Sequence, residues 1–170
     1  MPESHNLEGE LSLGDGFTAD GGCACGGVRY RLTAKPLFVH CCHCSWCQRE
    51  SGAAFALNAI LETSCIEMLA GQTREIELSS ESGRGQKVHR CPECYVALWS
   101  YYGGAGDKFS FVRVGTLDEP ARVPPDIHIY TASKQSWFEL SHNIPAVKEY
   151  YSRKEYWPEA SIERARLAKA

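Results

Sequence analysis

Cysteine is the residue through which this chain could do chemistry. Cys42, Cys44 and Cys47 form a C-x-C-x-x-C run within Cys41-Cys42-His43-Cys44-Ser45-Trp46-Cys47. Gaps of one and two residues keep the three sulfurs within one turn of chain, close enough to share an ion. Zinc sits about 2.3 Å from each thiolate that binds it. Three protein ligands leave one corner of the tetrahedron open, which is the mark of catalytic zinc. Two more pairs flank the run, Cys23-Ala24-Cys25 and Cys91-Pro92-Glu93-Cys94. Those four thiols make a closed tetrahedral set of the structural kind. Of the nine cysteines, this leaves Cys41 and Cys65, which read as small buried hydrophobes. Up to two zinc ions per chain are expected.

Glycine supports the four-thiol set. Gly21-Gly22 and Gly26-Gly27 bracket the first pair and permit the sharp path that turns both sulfurs inward. A C-x-x-C pair can also be a dithiol switch, but no thioredoxin-like βαβ pattern surrounds it. The three-thiol run is less closed in meaning. A fourth ligand from His40, His43 or His89 would make it a second structural site. His43 lies between two proposed ligands and is badly placed for the same ion. Cys41 adjoins Cys42, and neighbours on an extended chain point to opposite sides. The open-corner reading is therefore preferred. His43, Asp118 and His128 are candidates for proton transfer. Trp46, Trp99 and Trp137 line a pocket or pack in the core. Arg49 and Arg113 meet a carboxylate or stay solvated. No Ser/His/Asp set or paired carboxylate is evident.

The elements that must position these thiols read as short strands. Val28–Leu32, Pro36–Val39, Phe55–Leu61, Ile66–Leu69, Glu75–Leu78, Val96–Tyr101, Phe109–Val114 and Ile127–Tyr130 are rich in β-branched and aromatic residues. Gly, Pro, Asp or Ser separate most of them, which favours an antiparallel all-β domain. Helix signals are confined to the C-terminal part. Pro145 can open one turn through Tyr150, and Pro158–Ala168 carries a first-turn proline, an early acid and later bases. Its thin apolar face packs weakly or meets another chain, so a homo-oligomer is one expectation. The division expected is a flexible lead-in over 1–18, a zinc-binding β domain over 19–145, and a helical extension of that domain over 146–170.

Composition excludes several classes. The chain has 170 residues, 44% hydrophobic and 23% charged, enough for one folded core. A net charge of −3 without a Lys/Arg cluster argues against nucleic acid. No apolar run approaches the roughly 20 residues of a membrane span. The N-terminus lacks a basic region followed by an apolar core, so a cytoplasmic location is expected, where thiols stay reduced.

Several motifs in order carry a resemblance: Gly22-Cys23-Ala24-Cys25-Gly26-Gly27-Val28-Arg29-Tyr30, Cys42-His43-Cys44-Ser45-Trp46-Cys47-Gln48-Arg49-Glu50-Ser51-Gly52-Ala53, Cys91-Pro92-Glu93-Cys94, Val114-Gly115-Thr116-Leu117-Asp118 and Asp126-Ile127-His128-Ile129. Together, from about Gly21 to Leu140, the chain resembles the glutathione-dependent formaldehyde-activating enzyme family, which includes the centromere protein V relatives. The resemblance implies a β-tent of antiparallel sheets around a structural zinc held by Cys23, Cys25, Cys91 and Cys94. It implies a catalytic site at Cys42, Cys44 and Cys47. The implied reaction joins formaldehyde and glutathione into S-(hydroxymethyl)glutathione, the reverse of a carbon–sulfur lyase step. The partners are then a small aldehyde and a glutathione-like thiol. One departure stands out: Tyr95 follows the second pair where glycine is usual; a glycine there often takes φ > 0, which tyrosine does only at a cost, so the zinc loop is expected to differ slightly. A zinc-stabilised binding module without chemistry is the alternative of a different class. A thiol-redox protein using Cys41 or Cys65 is a third.

Overall fold

The computed structural model describes residues 16–80, 83–103 and 106–169. Of the lead-in expected over 1–18, residues 1–15 lie outside the described residues, as does Ala170 of the extension. Phe17 already packs on the core beneath the Arg122 guanidinium, so the ordered body begins before residue 19.

The protein is mainly β and forms the expected β-tent. Strands β1 (Ala19–Gly22), β2 (Arg29–Leu32) and β5 (Ile66–Ala70) make a small sheet in the order β1-β2-β5. The large sheet contains β3 (Phe38–Cys42), β4 (Ala56–Glu62), β6 (Arg74–Leu78), β7 (Gln86–Arg90), β8 (Ala97–Tyr102), β9 (Phe109–Arg113) and β10 (Ile127–Ile129). Their order is β10-β3-β4-β9-β8-β7-β6. All pairings are antiparallel except β10 with β3, which is parallel.

Strand alternation gives the large sheet two buried faces. Val39, Ala59, Leu61 and Val112 face the small sheet and pack with Tyr30 and Leu32. Phe38, Cys42, Ala56, Ile60, Phe109 and Phe111 face the other way, under Trp157 and Ala165 from the C-terminal segment. Every residue of β3 and β9 is therefore buried, with His40, Ser110 and Arg113 among them, so burial is continuous rather than alternating. On the small sheet, Tyr30 and Leu32 point inward while Arg29 and Arg31 point out to Asp118 and Asp20.

Four elements depart from the sequence reading. Helix signals are not confined to the C-terminus: α1 (Ser45–Ser51) lies inside the cysteine run. Its N-cap is Cys44, outside the usual Ser, Thr, Asp and Asn set, which hid it. Gly52 at φ 67 closes it and was the legible stop signal. The turn expected over Pro145–Tyr150 does not form. β10 is an edge strand, and its backbone groups draw this segment out straight: His128 N–H donates to Pro145 O at 2.8 Å and Val147 N–H to His128 O at 2.9 Å. β1 and β7 were also not foreseen. The C-terminal helices are α2 (Arg153–Tyr156) and α3 (Glu159–Leu167), with Pro158 at the N-cap. α3 packs on its own chain through Ala165 and Ile162.

Candidate functional site

The chain folds so that both proposed thiol sets converge. The Sγ atoms of Cys23, Cys25, Cys91 and Cys94 all lie within 4.8 Å of one another, and so do those of Cys42, Cys44 and Cys47. Cys23 and Cys25 sulfurs are 3.4 Å apart, and Cys25 and Cys91 sulfurs 3.6 Å. Four sulfurs about 2.3 Å from one ion would stand about 3.8 Å apart at tetrahedral angles. The set thus fits zinc with little movement.

Backbone geometry builds the four-thiol group from two similar loops. Between β1 and β2, Cys23 N–H donates to Val28 O, and Val28 N–H donates to Cys23 Sγ at 3.2 Å. Gly26 takes φ 75 there, and a Cβ on Gly22 would sit 2.5 Å from Val28 O. Between β7 and β8, Cys91 N–H donates to Val96 O and Tyr95 N–H to Cys91 O. The loop does not differ at Tyr95 as expected from its side chain: Tyr95 takes the positive φ of a glycine, 61°. Backbone N–H groups from Val96 and Cys25 hold the Cys94 thiol down to about 6, the range of a ready metal ligand.

The three-thiol group sits on the opposite face of the large sheet. Cys42 ends β3, Cys44 caps α1 and Cys47 lies in its first turn, its N–H donating to Cys44 Sγ at 3.3 Å. All three are at most 5% exposed. The Cys42 and Cys47 thiols that hydrogen-bond to Cys44 draw it down to about 3, helped by the N–H groups of Cys47 and Trp46 against the cost of burial. Cys42 is driven the other way, first by those same contacts with Cys44 and Cys47, then by burial. Cys47 accepts from Cys42, but its contact with Cys44 and its burial push it up to about 12. Three buried sulfurs this close ionise together only around a cation that offsets their mutual repulsion. The donor set therefore fits a thiophilic ion such as zinc.

Charge pairs anchor this group. Glu50, on α1, accepts from Arg113 at 3.2 Å and from Arg90. Arg113 also donates to Asn58, which shares its face with Ala56, the residue paired with Cys42. Arg90 Nη1 donates to Tyr95 O at 2.9 Å, so one ion cluster touches both thiol groups. Of the two arginines singled out from sequence, Arg113 is buried and paired, and Arg49 is exposed. Glu50 and Arg90 carried no sequence signal of their own.

The remaining candidates separate. Cys65 is half-buried, not fully buried. Asp118 pairs with Arg29 at the surface, whereas His43 and His128 meet at 2.9 Å in the interior. Cys41 lies 3.5 Å from His43, turned away from Cys42 as alternation requires. Trp99 is core, Trp46 packs beside the three thiols, and Trp137 is 71% exposed. His40 is spent on Tyr151, 2.5 Å from its hydroxyl, and His89 on Thr73. Among the described residues, no helix is long and apolar enough to cross a membrane.

The chain is similar to a Halomonas elongata protein provisionally named a glutathione-dependent formaldehyde-activating enzyme. The two are 24% identical over 127 residues, spanning 71% of this chain and 80% of the other. The crystal structure of a Rhodobacter sphaeroides protein aligns at a TM-score of 0.42 and 19% identity, covering 58% of this chain and 87% of that one. The family described as "Glutathione-dependent formaldehyde-activating enzyme" matches residues 18–133, and the chain belongs to that family.

Proposed function

We propose that this protein is a zinc-dependent enzyme of the carbon–sulfur lyase type, acting on the adduct of a small aldehyde with a glutathione-like thiol. In the direction of synthesis the thiol sulfur bonds to the carbonyl carbon, and the thiol proton ends on the former carbonyl oxygen. With formaldehyde and glutathione the product is S-(hydroxymethyl)glutathione. Cys23, Cys25, Cys91 and Cys94 would hold a structural zinc, and Cys42, Cys44 and Cys47 a second. Bound by Cys42, Cys44 and Cys47, zinc would supply an open coordination position and Lewis acidity toward a thiol or an aldehyde oxygen. The protein's own part is placement. Cys44 and α1 fix the loop, the Glu50 cluster fixes α1, and the apolar walls of Phe38, Phe111 and Ile129 exclude water. The reducing cytoplasm suits seven metal-binding thiolates.

The observation that carries this reading is the separation of a four-thiol from a three-thiol group on opposite faces of one sheet. The first closes a tetrahedron and the second leaves a corner. The deep burial of the second group favours a competing reading, a closed structural site in a binding module. Exchange NMR of formaldehyde with glutathione separates them. Zinc-loaded wild type should accelerate exchange and Cys44→Ser should not. Should Cys44→Ser keep full activity, the open-corner mechanism is wrong; should the wild type be silent with a panel of aldehydes and thiols, the module stands.

A further inference from the structure

Cys41, His43 and His128 form a third convergent group, which the aldehyde–thiol reading leaves unused. Their ligand atoms lie within 4.8 Å of one another. Cys41 Sγ is 3.5 Å from His43 Nε2, and His43 Nε2 is 2.9 Å from His128 Nδ1. Three backbone positions hold them: β3, the turn after it, and β10. The parallel register sets His128 directly beside Cys41, and His43 N–H donates to Ile129 O at 3.0 Å. All three residues are at most 4% exposed. Phe55 and Phe138 wall the His43 ring at 5.6 and 5.3 Å.

This group is not a satisfied hydrogen-bond network. His43 Nδ1 and His128 Nε2 are both buried and reach no partner. Two neutral imidazoles share one N–H···N bond, whichever tautomers they take, and always leave one N–H and one lone pair unmet. The observation that points to a ligand is the convergence of the three inner atoms, Cys41 Sγ, His43 Nε2 and His128 Nδ1, at metal-ligand spacing.

We propose that Cys41, His43 and His128 bind a soft monovalent d10 cation of the copper(I) class, separately from the two thiolate groups. Two imidazoles and a thiolate are a copper-type donor set. Charge selects the monovalent ion. One thiolate and two neutral imidazoles carry a single negative charge, which a monovalent cation cancels. A divalent cation would leave net charge in a phenylalanine-walled pocket, and no fourth ligand joins this group among the described residues. Donors about 2.0–2.3 Å from a three-coordinate ion stand about 3.5 Å apart. The Cys41–His43 separation already matches, and the histidine pair must open by about half an ångström. Binding forms one S–metal and two N–metal bonds and releases the thiol proton. Each imidazole keeps one N–H, on its outer nitrogen, and nothing is oxidised or reduced. Those outer nitrogens have no acceptor, so the ion lacks the supporting hydrogen bonds usual for a metal-bound imidazole and should exchange readily.

The test is anaerobic addition of one equivalent of copper(I), as its acetonitrile complex, to zinc-loaded protein. Gel filtration, elemental analysis and copper-edge X-ray absorption follow. The expected result is one retained copper with mixed nitrogen and sulfur ligands and unchanged zinc. Cys41→Ser and His128→Phe should each drop retention to near zero. A sulfur-only copper shell, or zinc released in step with copper uptake, overturns the proposal from the wild type alone. So does a folded His128→Phe variant that retains copper as the wild type does. None of these readings depends on turnover of an aldehyde.

Discussion

Replacing Glu50 tests how the fold holds the three-thiol loop. The Glu50 side chain is 6% exposed and faces two guanidiniums, Arg113 at 10% and Arg90 at 21%. Glu50→Ala leaves Arg113 buried without its counter-charge. Breaking a buried pair from one side costs about 3–5 kcal/mol. The lower end applies here, because Asn58 still accepts from Arg113 and Arg90 can turn to water. A loss of about 3 kcal/mol in a domain of this size lowers Tm by roughly 6–12 °C. Urea unfolding under saturating zinc, followed by tryptophan fluorescence, reads the change. Adding Arg113→Met removes the stranded charge, so the double variant should recover much of the loss. A cost below about 1 kcal/mol for Glu50→Ala, or a second variant that adds its full cost on top, would refute the buried-pair account.

Cys91→Ser should leave the protein insoluble or strongly destabilised, whereas Cys44→Ser should stay folded and lose one zinc. Joining Cys25 to Cys91 closes 66 residues, and loop closure scales as (3/2)RT ln n, so that crosslink is worth about 2 kcal/mol more than one across the short Cys42–Cys47 span; equal unfolding free energies for the two variants would count against the division of labour. Tyr95→Gly should raise stability by up to about 1 kcal/mol, since Tyr95 is 59% exposed at φ 61 and loses strain rather than packing; an unchanged or lower urea midpoint would show that the ring contributes. Burial holds His40 neutral, its pKa lowered to about 3, so the unfolded chain binds the extra proton and stability falls with pH below the unfolded value near 6.5. Between pH 6.5 and 5.5 this amounts to about 1 kcal/mol, and His40→Gln should flatten that slope; an equally steep slope in the variant would assign it elsewhere.

Much of the site was legible because thiols are rare and their spacing is a direct statement about geometry. The seven cysteines of both groups converge as the spacing required, whereas Tyr95 keeps the backbone of a glycine where its side chain argued for a different loop. What stayed hidden did so for definite reasons. β7 is Gln-Lys-Val-His-Arg, with Gln86 and Val88 inward, so a polar residue occupies a core position and erases the alternation. β1 is Ala-Asp-Gly-Gly, poor in every residue that favours strands, and is recognisable only by its pairing with β2, where Asp20 meets Arg31. α1 starts on a cysteine doing the work of a serine. Glu50 with Arg90 and Arg113 is a contact between residues 40 and 63 positions apart, which no local pattern records. Cys41 read as inert because its histidines come from a turn and from a strand 85 residues beyond His43.

The two thiol groups differ in what holds them, and that difference bears on chemistry. The four-thiol group joins two loops from separate sheets, each ordered by its own backbone hydrogen bonds. The three-thiol group would keep its shape without an ion. Backbone hydrogen bonds fix Cys44 and Cys47, β3 fixes Cys42, and Gln48 and Ser133 both donate to the His43 carbonyl between them. Glu50 ties the same helix to β7 and β9. Were this group the exchanging centre proposed above, its ligands would need to be held by the fold rather than by the ion. Here the fold supplies that support from one side of the sheet, while Arg90 carries it through to the Tyr95 carbonyl beside the other thiol group.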